Sequence, residues 1–125
     1  MSKQFLVAGS FFGIIAILLG AFGAHQLQTI LSKKSLNIYE IANKYLFYHS
    51  FFLIILGLAY DKIKQHKLLN QSGIFIIIGM ILFSGSLYLI SIFEIKKIGL
   101  ITPLGGLSFI IGWILFLWSI LKNKA

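Results

Sequence analysis

Seven polar side chains interrupt otherwise oily sequence and carry its chemical possibilities: His25, Tyr45, His49, Ser84, Ser86, Tyr88 and Thr102. Tyr45 and His49 are four apart and so share one face of a helix, as do Ser84, Tyr88 and Ser91. Imidazoles beside hydroxyls suit proton handling, ligand binding or nucleophilic attack, but each of these needs companions. A metal held by His25 and His49 requires at least a third donor, and Glu40 and Glu94 stand only at the rims of the apolar segments. A serine nucleophile needs a base that an acid orients, yet no acid is available at that depth and no G-x-S-x-G elbow occurs. Gly20 to Ala24 is no phosphate loop, because no G-K-[ST] follows. Cysteine is absent, which removes thiolate and disulfide chemistry. The expectation is no enzyme, no metal and no cofactor.

The elements that must hold these groups are set by hydropathy. Of 125 residues 58% are hydrophobic and 15% aromatic, the mean hydropathy is +0.94, and only 11% are charged, far from the composition of soluble domains. The charges leave four open windows, 4–32, 45–60, 68–93 and 98–121. About 20 apolar residues as helix cross a hydrocarbon core, so the windows predict an all-α integral membrane four-helix bundle, up-down-up-down. It forms one domain over 1–125, with helices at about 5–25, 41–60, 73–93 and 102–121. The second window is short; carrying its helix back through Ile41 to Asn43 places Lys44 inside, with its stem snorkelling toward the headgroups. The run from Phe5 to Ala24 is too long for a signal peptide and three further spans follow, so it reads as the first span.

Small residues mark where helices meet. Gly9, Gly13, Ala16, Gly20 and Ala24 recur at three- and four-residue steps on helix 1, and Gly105, Ser108, Gly112 and Ser119 do so on helix 4, the pattern of close backbone approach in membranes. Gly23, Gly85 and Gly106 join the expected packing glycines. Ser50 and Gly57 mark another such face on helix 2. Leu27, Ile30 and Leu31 beside Lys33 and Lys34 predict a short interfacial helix in the loop 26–40. His66, in the polar turn after helix 2, reads as solvated. Thr102-Pro103 reads as N-cap and first helical residue, with a helix from Ile98 kinked at Pro103 as its rival.

The net charge of +8 comes from eleven lysines against three acids, with no arginine. The lysines flank apolar windows, where anionic headgroups rather than nucleic acid await them. Four crossings put Lys3, Lys62, Lys64, Lys67, Lys122 and Lys124 on one side and Lys33, Lys34, Lys44, Lys96 and Lys97 on the other, which favours both termini in the cytoplasm. All seven polar residues then fall in the membrane half facing the first and third loops. Two readings are open. The groups satisfy one another as interhelical hydrogen bonds, since an unpaired polar group in lipid is costly, or they line an outward pocket for a lipid headgroup, an ion or a proton.

Four segments together resemble a known family: Gly20-Ala21-Phe22-Gly23-Ala24-His25; Tyr45 with His49 before Leu56-Gly57-Leu58-Ala59; Leu82-Phe83-Ser84-Gly85-Ser86-Leu87-Tyr88; and Thr102-Pro103-Leu104-Gly105-Gly106-Leu107-Ser108-Phe109 with Gly112-Trp113. In this order they are similar to the signatures of the domain-of-unknown-function 423 family, across all four expected helices. The resemblance implies a multi-pass protein of the bacterial cell membrane, related to a eukaryotic transmembrane family, and implies no established activity. The function expected is that of an uncharacterised polytopic membrane protein, structural or accessory, packing through small-residue seams, with membrane lipids and other membrane proteins or a second copy as partners. The alternative is a lipid-, ion- or small-molecule-binding or transport protein built on the polar cluster.

Overall fold

A computed structural model of the chain describes residues 2–124, and among these it contains helices and turns but no strand. Helix α1 spans Ser2–His25, and a 3-10 turn at Leu27–Thr29 leads to α2, Lys33–Ala59. Helix α3, His66–Gly79, passes through one π-helical turn at Met80–Ser84 into α4, Gly85–Phe93. A second 3-10 turn, Lys96–Leu100, precedes α5, Thr102–Lys122. Four segments, Lys3–His25, Lys33–Ala59, His66–Phe93 and Lys96–Lys122, are helical, long and apolar enough to cross a membrane. The result is the expected four-helix membrane bundle.

The second and third spans start earlier than hydropathy suggests. Ser32 is the N-cap of α2, its side chain accepting the Ser35 N–H at 3.1 Å, which satisfies one of the orphan donors of a helix start. Lys33, Lys34, Asn37 and Glu40 hide this start from a hydropathy scan, yet Ser35, Tyr39 and Ala42 are buried beneath them. The expected interfacial helix is therefore replaced by the 3-10 turn and the first two turns of α2. Leu27 is buried there, whereas Ile30 is exposed.

The entry to α5 also differs in detail. Ile101 occupies the cap position and Thr102 is already helical, with Pro103 in the first turn. The Thr102 hydroxyl bonds to Ser86 instead of capping, and the chain ahead of the proline is a 3-10 turn rather than a kinked α-helix.

Packing follows the small residues. Helix α1 lies along α2, α3 along α5, and α4 against α2, which is thereby the shared wall. A Cβ on Gly9 would stand 2.8 Å from the Ser50 carbonyl oxygen, and one on Gly112 would stand 2.7 Å from the Ile76 side chain. At Gly105 it would run into the backbone of Phe83, and at Gly23 into the ring of Tyr39. Three of the expected packing glycines are not tight. Gly85 meets nothing within 4 Å, Gly13 meets only Ser50 Oγ at 3.7 Å, and Gly106 only the Phe83 ring at 3.8 Å. Conversely, Gly73 and Gly79, hidden in a uniformly apolar run, receive the rings of Phe5 and Phe109.

Serines complete the seams by donating to carbonyls of the facing helix. Ser72 reaches Gly112 at 2.7 Å, Ser108 reaches Phe75 at 2.6 Å, and Ser84 reaches Ala42 at 2.8 Å. In hydrocarbon such a hydroxyl has no water to turn to, so each donor fixes the register of two helices. Large aliphatic and aromatic side chains face outward, among them Val7, Phe11, Ile14 and Leu18 on α1 and Leu104, Ile114, Leu117 and Leu121 on α5. That inversion of the soluble pattern matches a lipid surround.

At the end holding the second loop, the C-terminal segment is tied back. Asn123 Oδ1 accepts the Lys64 N–H at 2.8 Å, and the Tyr60 hydroxyl donates to Asn70 Oδ1 at 3.0 Å. His66 is exposed but more than solvated. Its ring stacks on Tyr60 with centroids 4.3 Å apart, and its Nε2–H donates to the Tyr60 carbonyl at 3.0 Å.

Candidate functional site

The seven expected site residues do not form one cluster. His25 ends α1 on the exposed side and joins no other member. Gly23, two residues earlier, faces Tyr39 on α2. Two residues turn a helix by about 200°, which carries His25 away from the seam.

His49 lies in the middle of α2 because that helix begins at Lys33. Sixteen residues of helix put it about 24 Å from that end, beyond the half that faces the first and third loops. Its ring is 5% exposed and lies parallel to Phe109, with centroids 3.7 Å apart. The Nδ1–H donates to the Tyr45 carbonyl at 2.8 Å, and Nε2 accepts the Trp113 indole N–H at 3.1 Å. With one nitrogen donating and the other accepting, the imidazole is a neutral tautomer whose hydrogen bonds are both made. It has no site left for a ligand or proton. Tyr45 covers the same aromatic stack, its ring 4.9 Å from Phe83.

Ser84 and Ser86 are likewise committed. Ser84 is fully buried and bonded to Ala42. Ser86 bonds to the Phe83 carbonyl at 2.9 Å and to Thr102, closing α4 on the start of α5. Neither has a histidine within its hydrogen bonds, so the imagined serine–imidazole pair does not exist.

Tyr88 leads elsewhere, to two residues that the sequence reading missed. Its hydroxyl donates to Asn43 Oδ1 at 2.6 Å, and its ring meets Tyr39 edge-on at 5.1 Å. The Tyr39 hydroxyl donates to the Leu19 carbonyl of α1. Tyr39 and Asn43 are one turn apart on the early part of α2, and their shared face shows in sequence only if the helix is started at Ser32. With Oδ1 taken by Tyr88, the Asn43 Nδ2 points to α1, where a Cβ on Gly20 would stand 2.9 Å from it.

These residues floor a groove of about 310 Å³ between the second half of α1 and the first half of α2. Gly20 and Gly23 form its α1 wall, and Tyr39 and Asn43 its α2 wall. Gln28, Glu40 and Lys44 stand at the rim, with Leu36 and Ala24 supplying apolar surface. Glu40 and Lys44 are both exposed, so the mouth carries one charge of each sign above an amide donor. Such an arrangement offers a hydrogen-bond donor and charges of both signs to a polar group.

The chain's relatives share its length. The UPF0382 membrane protein YwdK of Bacillus subtilis is 37% identical over 120 residues, covering 96% of this chain and 98% of its own. The UPF0382 membrane protein SAB0533 of Staphylococcus aureus is 40% identical over 120 residues, covering 96% and 97%. A UPF0382 membrane protein of Haemophilus influenzae is 34% identical over 125 residues, covering 100% and 99%. No solved structure matches the chain. Residues 19–106, which hold the groove, His49 and the Ser86–Thr102 closure, match the family described as protein of unknown function, DUF423, and the chain belongs to that family of bacterial membrane proteins.

Proposed function

We propose that this polytopic membrane protein is a non-enzymatic binding protein that seats the polar head of an amphiphile in the α1–α2 groove. One observation carries this reading. The Asn43 amide, held through Oδ1 by Tyr88, presents its Nδ2 to an open groove between Glu40 and Lys44. An amide donor at that position calls for an acceptor such as an ester or phosphoryl oxygen, and the apolar surface beside it suits a lipid tail.

The accessory-subunit reading draws on the small-residue seams, and these serve within the chain. Gly9 and Gly20 face α2, while Gly105 and Gly112 face the third span, and the outward side of α1 is dominated by large residues. A partner docking there would meet the same surface that lipid does.

The orientation proposed with this function places both termini in the cytoplasm, six lysines against five, so the groove opens toward the outer leaflet. The test is photocrosslinking in reconstituted vesicles with a phospholipid carrying a diazirine near its head. Adducts concentrated on Leu36 to Lys44 and on Gly20 to Gln28, and reduced by Asn43→Leu, support the groove. Adducts spread evenly over the exposed faces of α1 and α5 would sink it.

A further inference from the structure

The charges at the mouth of the α1–α2 groove carry information about what it holds. We infer that the groove selects a phospholipid with a zwitterionic head ending in a primary ammonium, the phosphoethanolamine type, over anionic and quaternary-ammonium heads. The inference rests on the binding role proposed above and adds the chemical class of the occupant.

The inner donor is held in place by the fold. Asn43 Oδ1 accepts the Tyr88 hydroxyl at 2.6 Å, and the Tyr88 ring is braced edge-on by Tyr39 at 5.1 Å. Among the described residues Asn43 Nδ2 has no protein partner, and no buried side-chain nitrogen is left unpaired. Nδ2 is therefore open to the groove that Asn43 lines, where an acceptor without hydrogens of its own, a phosphoryl oxygen, matches it.

The rim sets the polarity of the head. Lys44 adjoins Asn43, and Glu40 stands one turn nearer the first loop, about 6 Å outward along the helix. Both line the groove and both are exposed. An ammonium beside the amide and a carboxylate one turn beyond it meet, in that order, a phosphodiester and the amine that two methylenes carry past it. Any contact between Glu40 and Lys44 themselves is the weak i, i+4 pair of a helix surface, and a ligand bearing both charges replaces it on both sides.

Selectivity follows from the same groups. The two charges cancel, so an anionic head gains Lys44 and is repelled by Glu40. A primary ammonium donates charge-assisted hydrogen bonds to the carboxylate. A quaternary ammonium has no hydrogen to donate and is held instead by aromatic cages, yet among the described lining residues Tyr39 is the one aromatic. Ala24 and Leu36 add apolar surface beside the head, which a soluble phosphoethanolamine would leave unused.

The test uses the purified full chain in detergent, read by native mass spectrometry. The probes are dioleoyl phosphatidylethanolamine, phosphatidylglycerol and phosphatidylcholine, with glycerophosphoethanolamine as the tail-less head. Phosphatidylethanolamine should bind about tenfold tighter than the other two lipids, the scale of one hydrogen bond to a charged group, and glycerophosphoethanolamine should not displace it. Glu40→Gln should abolish the preference, and Glu40→Lys should transfer it to phosphatidylglycerol. Glu94→Gln, outside the groove, should leave it intact, while Asn43→Leu should weaken all three lipids together. If the three lipids bind alike and Asn43→Leu weakens them all, the head selection is overturned and the groove stands. Head selection also falls if Glu40→Gln keeps the preference, if Glu94→Gln removes it, or if glycerophosphoethanolamine displaces the lipid. If no lipid binds, or Asn43→Leu weakens none, the groove itself falls and the selection with it.

Discussion

The Trp113 indole donates to His49 Nε2 at 3.1 Å, joining the middle of α5 to the middle of α2. These two helices are otherwise joined by aromatic contacts, His49 stacked on Phe109 at 3.7 Å and Phe52 edge-on to Trp113 at 4.5 Å and to Phe116 at 5.2 Å. The hydrogen bond is thus a directional link between the two hairpins of the fold. It gives an imidazole deep in the bundle a hydrogen-bond partner on each ring nitrogen.

Breaking that link from one side should cost more than removing it altogether. Trp113→Phe strands a buried acceptor, for a loss of about 1 kcal/mol. Adding His49→Phe, which keeps the stack on Phe109, should recover part of it, because no polar group is left unpaired. Reversible unfolding in mixed micelles gives the cycle. A double variant less stable than Trp113→Phe by the full cost of His49→Phe would mean that the two residues are uncoupled.

The glycines offer a sharper contrast. Gly105→Ala pushes a methyl against the Phe83 backbone and should destabilise by about 1–3 kcal/mol, the range for overpacking. Gly85→Ala meets open space and should be neutral or stabilise by about 0.5 kcal/mol from lower backbone entropy. Melting temperatures of the two variants, compared side by side, decide whether the close approach lies where the structure puts it.

Removing the hydroxyl that orients Asn43 should be felt in the groove. Tyr88→Phe is expected to weaken phospholipid crosslinking at Leu36 to Lys44 by about threefold, the scale of one hydrogen bond. Tyr48→Phe, on an exposed part of α2 outside the groove, should leave it intact. Equal effects would detach Tyr88 from the binding.

Orientation is open to direct measurement because the chain contains no cysteine. Lys67→Cys should react with a membrane-impermeant maleimide only after the cytoplasmic face is exposed, whereas Lys97→Cys should react in intact cells. The reverse pattern would turn the protein over and aim the groove at the inner leaflet.

Four crossings were legible in the sequence because lipid demands long apolar helices and leaves few other solutions. Gly9, Gly20, Gly105 and Gly112 were legible for a related reason, since in lipid only small residues let backbones come close. The start of α2 was not, because Lys33, Lys34 and Glu40 lower its hydropathy while Ser35 and Tyr39 do the packing. That displacement of eight residues moved His49 from the expected outer half to the centre and concealed the Tyr39–Asn43 face. His25 misled through its neighbours: it follows a packing seam in sequence but leaves it by rotation. The tight fits at Gly73 and Gly79 depend on Phe5 and Phe109, partners that only the fold brings near.

The π-helical turn at Met80–Ser84 acts as a phase changer. Before it, Ser72, Ile76 and Gly79 address α5; Ser84 at its end and Tyr88 beyond it address α2. One surplus residue in a helix rotates everything downstream by about 100° relative to an uninterrupted α-helix, which lets a single rod serve two differently placed neighbours. Excising one residue from this turn would therefore act like resetting a cam, swinging Tyr88 off Asn43 while leaving the α3–α5 pairing in step.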